Sequence, residues 1–319
     1  MRTAIKIVLF AVIFKLLDVA AFQGLRRLDS NLPADETGLK LLYAGRRGEE
    51  IVAFGDSRIR YHVNTRILNQ STGMSAWNLA DAGSNFEQQW FTLNEYLDFN
   101  TPPRVIIFEA DTLSLDAKSG LKFHTELFRP FQGYSSRAAG LFATSPLEGF
   151  AMRIATVRAF KSRIVPLAAS LFSPVQAAAD NTANGAPLVL VGHHPNGLKA
   201  SAKRFQISQE RKDAFHRLAA LATSKSVVLI LLTTPEYKHD EQLIPADADT
   251  AYGFFSGLAN PTAGIYYLNY ARDPRFVNND DMWFDGQHLN VVGMSEFSKV
   301  LAKDLATILQ NQAGKRKSL

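Results

Sequence analysis

Cysteine is absent from the 319-residue sequence, which excludes disulfides, thiolate nucleophiles and cysteine-ligated metal. A cysteine-free chain is compatible with an oxidising compartment without establishing one. Dense basic blocks interleaved with aromatics are also missing. The formal charge is +5 and the pI about 9.3, but Lys and Arg are spread along the chain. That distribution speaks against nucleic acid as a partner and allows a mild attraction to anionic lipid or polymer. No P-loop or dinucleotide glycine pattern follows an apolar strand, so no nucleotide cofactor is expected. Adjacent His193 and His194 have no carboxylate at ligand spacing, and no H-x-x-x-H pair occurs, so no metal is expected either. His62, His124, His216 and His239 belong to no constellation and read as surface or packing residues.

An uninterrupted hydrophobic run of membrane-spanning length, about 20 residues, is lacking too. The start, MRTAIKIVLFAVIFKLLDVAAF, is apolar from Ile7 to Phe14 and is then interrupted by Lys15 and Asp18. Three readings compete: an uncleaved anchor, a signal peptide cut near Ala20-Ala21, and an ordinary amphipathic helix. A basic start followed by an apolar centre favours export or anchoring, with residues 1–23 as the signal or anchor segment. Lys15 and Asp18, three apart on a helix, are expected to pair. Arg2 and Lys6 precede the segment while Arg26 and Arg27 follow it, so positive-inside counting barely fixes its orientation.

What is present is an ordinary globular composition, 46% hydrophobic and 20% charged, long enough for one large α/β domain with insertions. After a helix in DETGLKLLYAGRRGEE, the wholly apolar IVAFG reads as a strand buried on both faces of a parallel sheet. A helix over residues 64–70, a strand in SAWNLAD and a helix over 86–99 follow, then the strand RVIIFEAD. The alternation resumes with helix ISQERKDAFHRLAALATSK, strand SVVLILLTT, strand IYYLNY and a final helix in VVGMSEFSKVLAKDLATIL. Such alternation predicts βαβ units with right-handed crossovers. The domain is expected over 33–312, with insertions at about 112–204 (largely helical) and 235–264, and a basic tail at 313–319.

In an open parallel sheet, ligands bind beyond the carboxyl ends of the strands. Ser57 follows the first strand there, Gly83 the second, and Glu109 to Thr112 the third; Asp285 and His288 lie in MWFDGQHLNVVG before the last helix. A serine hydroxyl needs a base, a neutral imidazole near pH 7 serves, and a carboxylate on its other nitrogen fixes the tautomer. Asp285 and His288, three apart on a turn, are spaced for that pairing, leaving the far side of the ring to Ser57. Backbone amides of Ser57 and Gly83 are the expected oxyanion donors.

GDS after an apolar strand, glycine after the next, and D-x-x-H before the C-terminal helix together resemble the SGNH (GDSL-like) hydrolase superfamily. The chain looks most like its membrane-anchored, periplasm-facing branch, which includes O-acetyltransferase-like proteins of polysaccharide modification. The resemblance covers residues 50–111 and 226–312. It implies a flavodoxin-like three-layer α/β/α sandwich with a parallel sheet, a catalytic Ser57, and His288 with Asp285 as its partners. One residue departs from the pattern: the usual asparagine after the third strand is absent, leaving Thr112 or Asp111 as candidate contributors to the oxyanion site. The function expected is serine-dependent ester chemistry, as esterase or O-acyltransferase, on a glycan at the cell envelope. It would need no cofactor, and a membrane partner could pass it acyl groups. The competing expectation is a catalytically degenerate binding or scaffold protein on the same fold.

Other residues have a bland reading beside a sharp one. Arg58 and Arg60 are candidates for an anionic substrate at the mouth, or for surface ion pairs. Tyr61, Trp77 and Trp283 offer stacking faces for a sugar, though aromatics contribute mainly buried area. Asp56 is expected to hold the turn through its side chain.

Overall fold

The computed structural model describes residues 2–30, 38–45, 47–117, 131, 135, 137–138, 154–160, 167–168, 190–192, 206–237 and 248–317. Helix α1 (Arg2–Ser30) is followed by α2 (Leu39–Ala44), β1 (Ile51–Phe54), α3 (Ser57–His62), α4 (Thr65–Thr72) and β2 (Ala76–Asn78). Then come α5 (Phe86–Phe99), β3 (Val105–Glu109), α6 (Gln209–Ser224), β4 (Val228–Thr233) and α7 (Ala248–Leu258). The chain continues through β5 (Ile265–Asn269) and the short α8 (Pro274–Val277) into α9 (Val291–Lys317).

The five strands are all parallel, in the order β2-β1-β3-β4-β5. Alternation along β1 shows why its run is apolar throughout. Val52 and Phe54 face a core with Leu39, Phe86, Phe215 and Phe255, from α2, α5, α6 and α7. Ile51 and Ala53 face the opposite core, with Ile59, Leu68, Phe297 and Leu301, from α3, α4 and α9. A strand with helices on both faces has no polar side to show water. The result is the three-layer α/β/α arrangement expected from the strand–helix alternation. Its strand order reverses between β1 and β3, where ligands gather in doubly wound sheets.

Several helices start where the sequence provides a cap. Asn64 accepts from the amides of Arg66 and Ile67, Asn85 and Gln88 form a capping box on α5, and Ser208 accepts from Arg211. The helix expected in DETGLKLLYAGRRGEE is the short α2, ended at Gly45, whose left-handed φ is 71° and whose missing Cβ would lie 2.9 Å from the Phe99 carbonyl. The stretch 235–264, expected as a second insertion, contains α7, the crossover between β4 and β5. Its Phe255 packs on Phe215 at 4.9 Å between ring centroids. Two glycines and scattered polar residues in ADTAYGFFSGL hid that helix from periodicity, and residues 238–247 lie outside the described set. Most of the expected insertion at 112–204 also lies outside it, as do His124, His193, His194 and His239.

The N-terminal segment is helical, but the spanning anchor expected there is not supported. Among the described residues no helix is long and apolar enough to cross a membrane. Lys15 and Asp18 do pair, at 2.8 Å. Asp18 does more than neutralise Lys15: it accepts from the amides of Thr156 and Val157 at 2.9 Å each and from the Thr156 hydroxyl. It thereby caps a 3-10 turn, Thr156–Phe160, and Phe22 packs on Phe160 beside it. Burial opposes ionisation of Asp18, yet the hydrogen bonds from Lys15, Thr156 and Val157 carry its pKa well below the usual carboxylate range. N-terminal to this dock, Ile5, Ile7, Val8, Leu9 and Phe10 are exposed.

Candidate active site

β1 ends at Phe54, and the chain turns through Gly55 and Asp56 into α3, of which Ser57 is the first residue. Asp56 is the N-cap, accepting the Arg58 amide at 2.7 Å. Gly55 is required by space: a Cβ there would fall 2.2 Å from Ile59 Cγ1 and 2.6 Å from Ile59 Cβ. At the first helical turn the Ser57 amide has no intrahelical acceptor. The loop after β2 is fastened to the same turn, with the Asp81 amide donating to Gly55 O at 3.0 Å and the Ser84 hydroxyl at 2.9 Å. Gly83 within that loop has φ 77°, a left-handed conformation that favours glycine.

On the other side of the crevice, Asp285 accepts the amides of Gln287 and His288 at 2.8 Å each, closing a turn. The same carboxylate meets His288 Nδ1 at 2.9 Å (Oδ2) and 3.1 Å (Oδ1). His288 Nε2 lies 2.8 Å from Ser57 Oγ. Burial raises the Asp285 pKa, but the hydrogen bonds from His288 and from the Gln287 amide outweigh it and hold the carboxyl below its ordinary value. The last helix has its own cap, Asn290, which accepts from Val292 and Gly293. Asp285 is thus not needed as a cap, and its carboxylate orients the imidazole.

His62 supports this constellation from below. It is fully buried at the end of α3, and its Nε2 accepts the Leu289 amide at 3.0 Å. Burial, with the neighbouring His288 and Arg58, pushes its pKa well below the normal imidazole value, so it stays neutral. By sequence His62 reads as a surface or packing residue; its place five residues after Ser57 carries no signal of this bond. Tyr61 stands edge-on to the His288 ring, with centroids 5.3 Å apart. Trp77 and Trp283, the other two candidate stacking faces, are buried in the core.

The two arginines are not at the mouth as expected. Arg60 is buried, donating to Ala80 O at 3.0 Å. Arg58 turns inward and lies 3.5 Å from both Asp111 and Glu236. Burial opposes the guanidinium charge, but Asp111, Glu236, Asp56 and Glu109 more than offset it and raise the Arg58 pKa. The cause is a concentration of acid that periodicity could not display: Asp56, Glu109 and Asp111 all lie within 4.8 Å of one another. Arg58 is the positive group among them. Glu109 closes β3, accepting the Asp56 amide at 2.6 Å and Gln89 Nε2 at 2.9 Å on its Oε2. Burial, and then Asp56 and Asp111, raise its pKa well above the carboxylate range. Asp111 is raised mainly by burial, against Arg58; Glu236 likewise, while also accepting from Tyr252 at 2.8 Å. One signal for this cluster was readable, an acid ending the otherwise apolar run VIIFE.

Asp111, one of two candidate oxyanion contributors, spends Oδ1 on the Ser114 amide and hydroxyl, both at 2.8 Å. Thr112, the other, is buried at the start of the 3-10 turn Leu113–Leu115.

Fold and site together define an α/β protein of the doubly wound kind, with a serine, a histidine and an aspartate hydrogen-bonded in series at the carboxyl edge of its sheet. No family model matches the chain, and no curated protein matches it. Among solved structures, it is similar to one described as "a putative platelet activating factor from Streptococcus pneumonia". The two share 12% identity over 95% of this chain and 99% of that one, with a TM-score of 0.44.

Proposed function

We propose that this protein is a serine-dependent acyl-transfer enzyme of the SGNH type, acting on ester-linked acyl groups of a glycan. The observation that carries the reading is the continuous series Asp285–His288–Ser57, with both links at 2.8–2.9 Å. Ser57 Oγ attacks the acyl carbonyl carbon and its proton passes to His288 Nε2, while Asp285 stabilises the imidazolium. The Ser57 and Gly83 amides are the oxyanion donors in this reading, each such donor contributing ~3 kcal/mol. Collapse expels the alcohol, which takes the proton from His288, and leaves an acyl-serine. Water then gives an esterase and a sugar hydroxyl gives an O-acyltransferase; resemblance to the O-acetyltransferase-like branch favours transfer. A glycan at the cell envelope, with a membrane protein handing over acyl groups, belongs to this proposal. The exposed apolar side chains at the start of α1 fit a location against lipid.

The test is incubation of the full chain with an activated acyl ester, with and without Ser57→Ala, following acyl release and adduct mass. A serine adduct lost in the variant, resolved faster by added glycan, supports the reading. A folded protein with neither adduct nor turnover rejects it. That result would favour the second reading, a binding protein on a degenerate fold, which is motivated by Asp111 standing paired with Arg58 near the usual place of an asparagine donor. Recovery in the soluble cytoplasm on fractionation would sink the envelope location.

A further inference from the structure

We infer that Glu109 is a positioning residue for Ser57: as a carboxylic acid it donates to the Asp56 carboxylate while accepting the Asp56 amide, clamping the residue before the nucleophile. The inference rests on Ser57 being that nucleophile.

Four acids, Asp56, Glu109, Asp111 and Glu236, gather around one guanidinium, Arg58. Fully ionised, they would leave three uncompensated negative charges in a buried site, a cost that proteins avoid by retaining a proton. Each acid's partners indicate where that proton sits. Asp56 accepts the Arg58 amide as an N-cap. Asp111 accepts twice from Ser114 and faces Arg58, and Glu236 accepts from Tyr252 and faces Arg58. Glu109, 2% exposed, has both its donors on Oε2. Its Oε1 is buried without a donor, as are Asp111 Oδ2 and Glu236 Oε2, but those two acids have Arg58 at 3.5 Å to favour their charged form, which leaves Glu109 as the acid that carries hydrogen. The Glu109 and Asp56 carboxyl groups lie within 4.8 Å of each other, and two carboxyl groups can hydrogen-bond only with a proton between them. Burial and the Asp56 and Asp111 charges hold the proton on Glu109 into the pH range where carboxylates are normally ionised.

The functional consequence lies one residue away. Asp56 is pinned at its amide and carboxylate together, and Gly55 before it has its Cα so close to Glu109 that an added Cβ would sit 3.1 Å from Glu109 Cβ. The β1–α3 turn therefore has little freedom while the acid is protonated. Ionising Glu109 removes the donor and adds repulsion beside Ser57.

The test uses the full chain, Glu109→Gln and Glu109→Ala. Glutamine keeps an acceptor for the Asp56 amide, supplies an N–H to the Asp56 carboxylate and cannot ionise. Ser57 labelling by a fluorophosphonate is followed across pH, with the infrared carbonyl band of a protonated carboxylic acid measured in parallel. The wild type should show a band missing from Glu109→Gln, and labelling that declines as that band is lost on the alkaline side. Glu109→Gln should label close to the wild-type rate at neutral pH and show no such decline. Glu109→Ala should label about 100-fold more slowly, as misplacement of a reacting group by ~1 Å does. No band difference between wild type and Glu109→Gln overturns the inference, as does an identical alkaline decline in both. If the band is present but the wild type is never labelled, the nucleophile itself is overturned, and the positioning role with it.

Discussion

His62 Nε2 accepts the Leu289 amide at 3.0 Å, fastening the helix that begins with Ser57 to the turn that carries His288. The bond requires a neutral ring, since a protonated imidazole has no acceptor. It joins two segments 227 residues apart, and both halves of the candidate triad depend on their relative placement.

Stability should therefore fall in mild acid. The folded-state pKa of His62 is lowered, so the unfolded chain binds a proton that the folded one refuses. The contribution is intact above the unfolded value of ~6.5 and declines below it, with a slope approaching ~1.4 kcal/mol per pH unit. Urea unfolding between pH 5 and 8 should show this slope in the wild type and a shallower one in His62→Gln. Equal slopes would mean His62 is not the titrating group.

Asp285→Asn should leave the fold intact and lower acyl transfer by roughly 10⁴-fold, because an amide can hold the wrong imidazole tautomer. Single-turnover acylation of Ser57 is the measurement. A loss below tenfold would show that the 2.9 Å contact with His288 is incidental.

Gly55→Ala should be damaging although the substitution is small. The added methyl meets Ile59 at 2.2 and 2.6 Å, and overpacking of this kind costs about 1–3 kcal/mol. Pairing it with Ile59→Ala should recover part of the stability. A double-mutant cycle with no coupling would contradict the contact.

Asp18→Asn should loosen the dock between α1 and the turn Thr156–Phe160. Hydrogen bonds to a charged group are worth about 1.5–3 kcal/mol, so amide exchange at Thr156 and Val157 should quicken roughly tenfold to 100-fold. The folded pKa of Asp18 is lowered, so its contribution is present above the unfolded value near ~3.9 and is lost as pH falls below it. Unchanged exchange rates in the variant would remove Asp18 from the dock.

Much of this was legible because it was written in local patterns. IVAFG and VIIFE show buried parallel strands by being apolar throughout, and Asn64 and Asn85 mark helix starts by chemistry alone. Ser57 is legible at a strand end, and Asp285 with His288 in the turn before the last helix, and the structure brings the three side chains into contact. The direction in which a side chain leaves its helix was not legible. Arg58 and Arg60 look like surface charges in sequence, yet each points inward to acids or carbonyls contributed by other strands. The acid cluster combines residues 53 and 55 positions apart with Glu236, from beyond β4, and no local periodicity registers such a meeting. Helix α7 was missed because two glycines and an uneven apolar stripe blur its period, though Phe255 seals one core.

The sequence separation of 231 between Ser57 and His288 also sets a delay during synthesis. At ~5–20 residues per second, a ribosome needs roughly 10–50 s to travel from the serine codon to the histidine codon. Throughout that interval the nascent chain carries a hydroxyl with no base to activate it. Under the proposed mechanism, premature termination anywhere in the interval yields a fragment that cannot trap acyl groups, and acyl trapping would report that translation has passed the D-x-x-H turn.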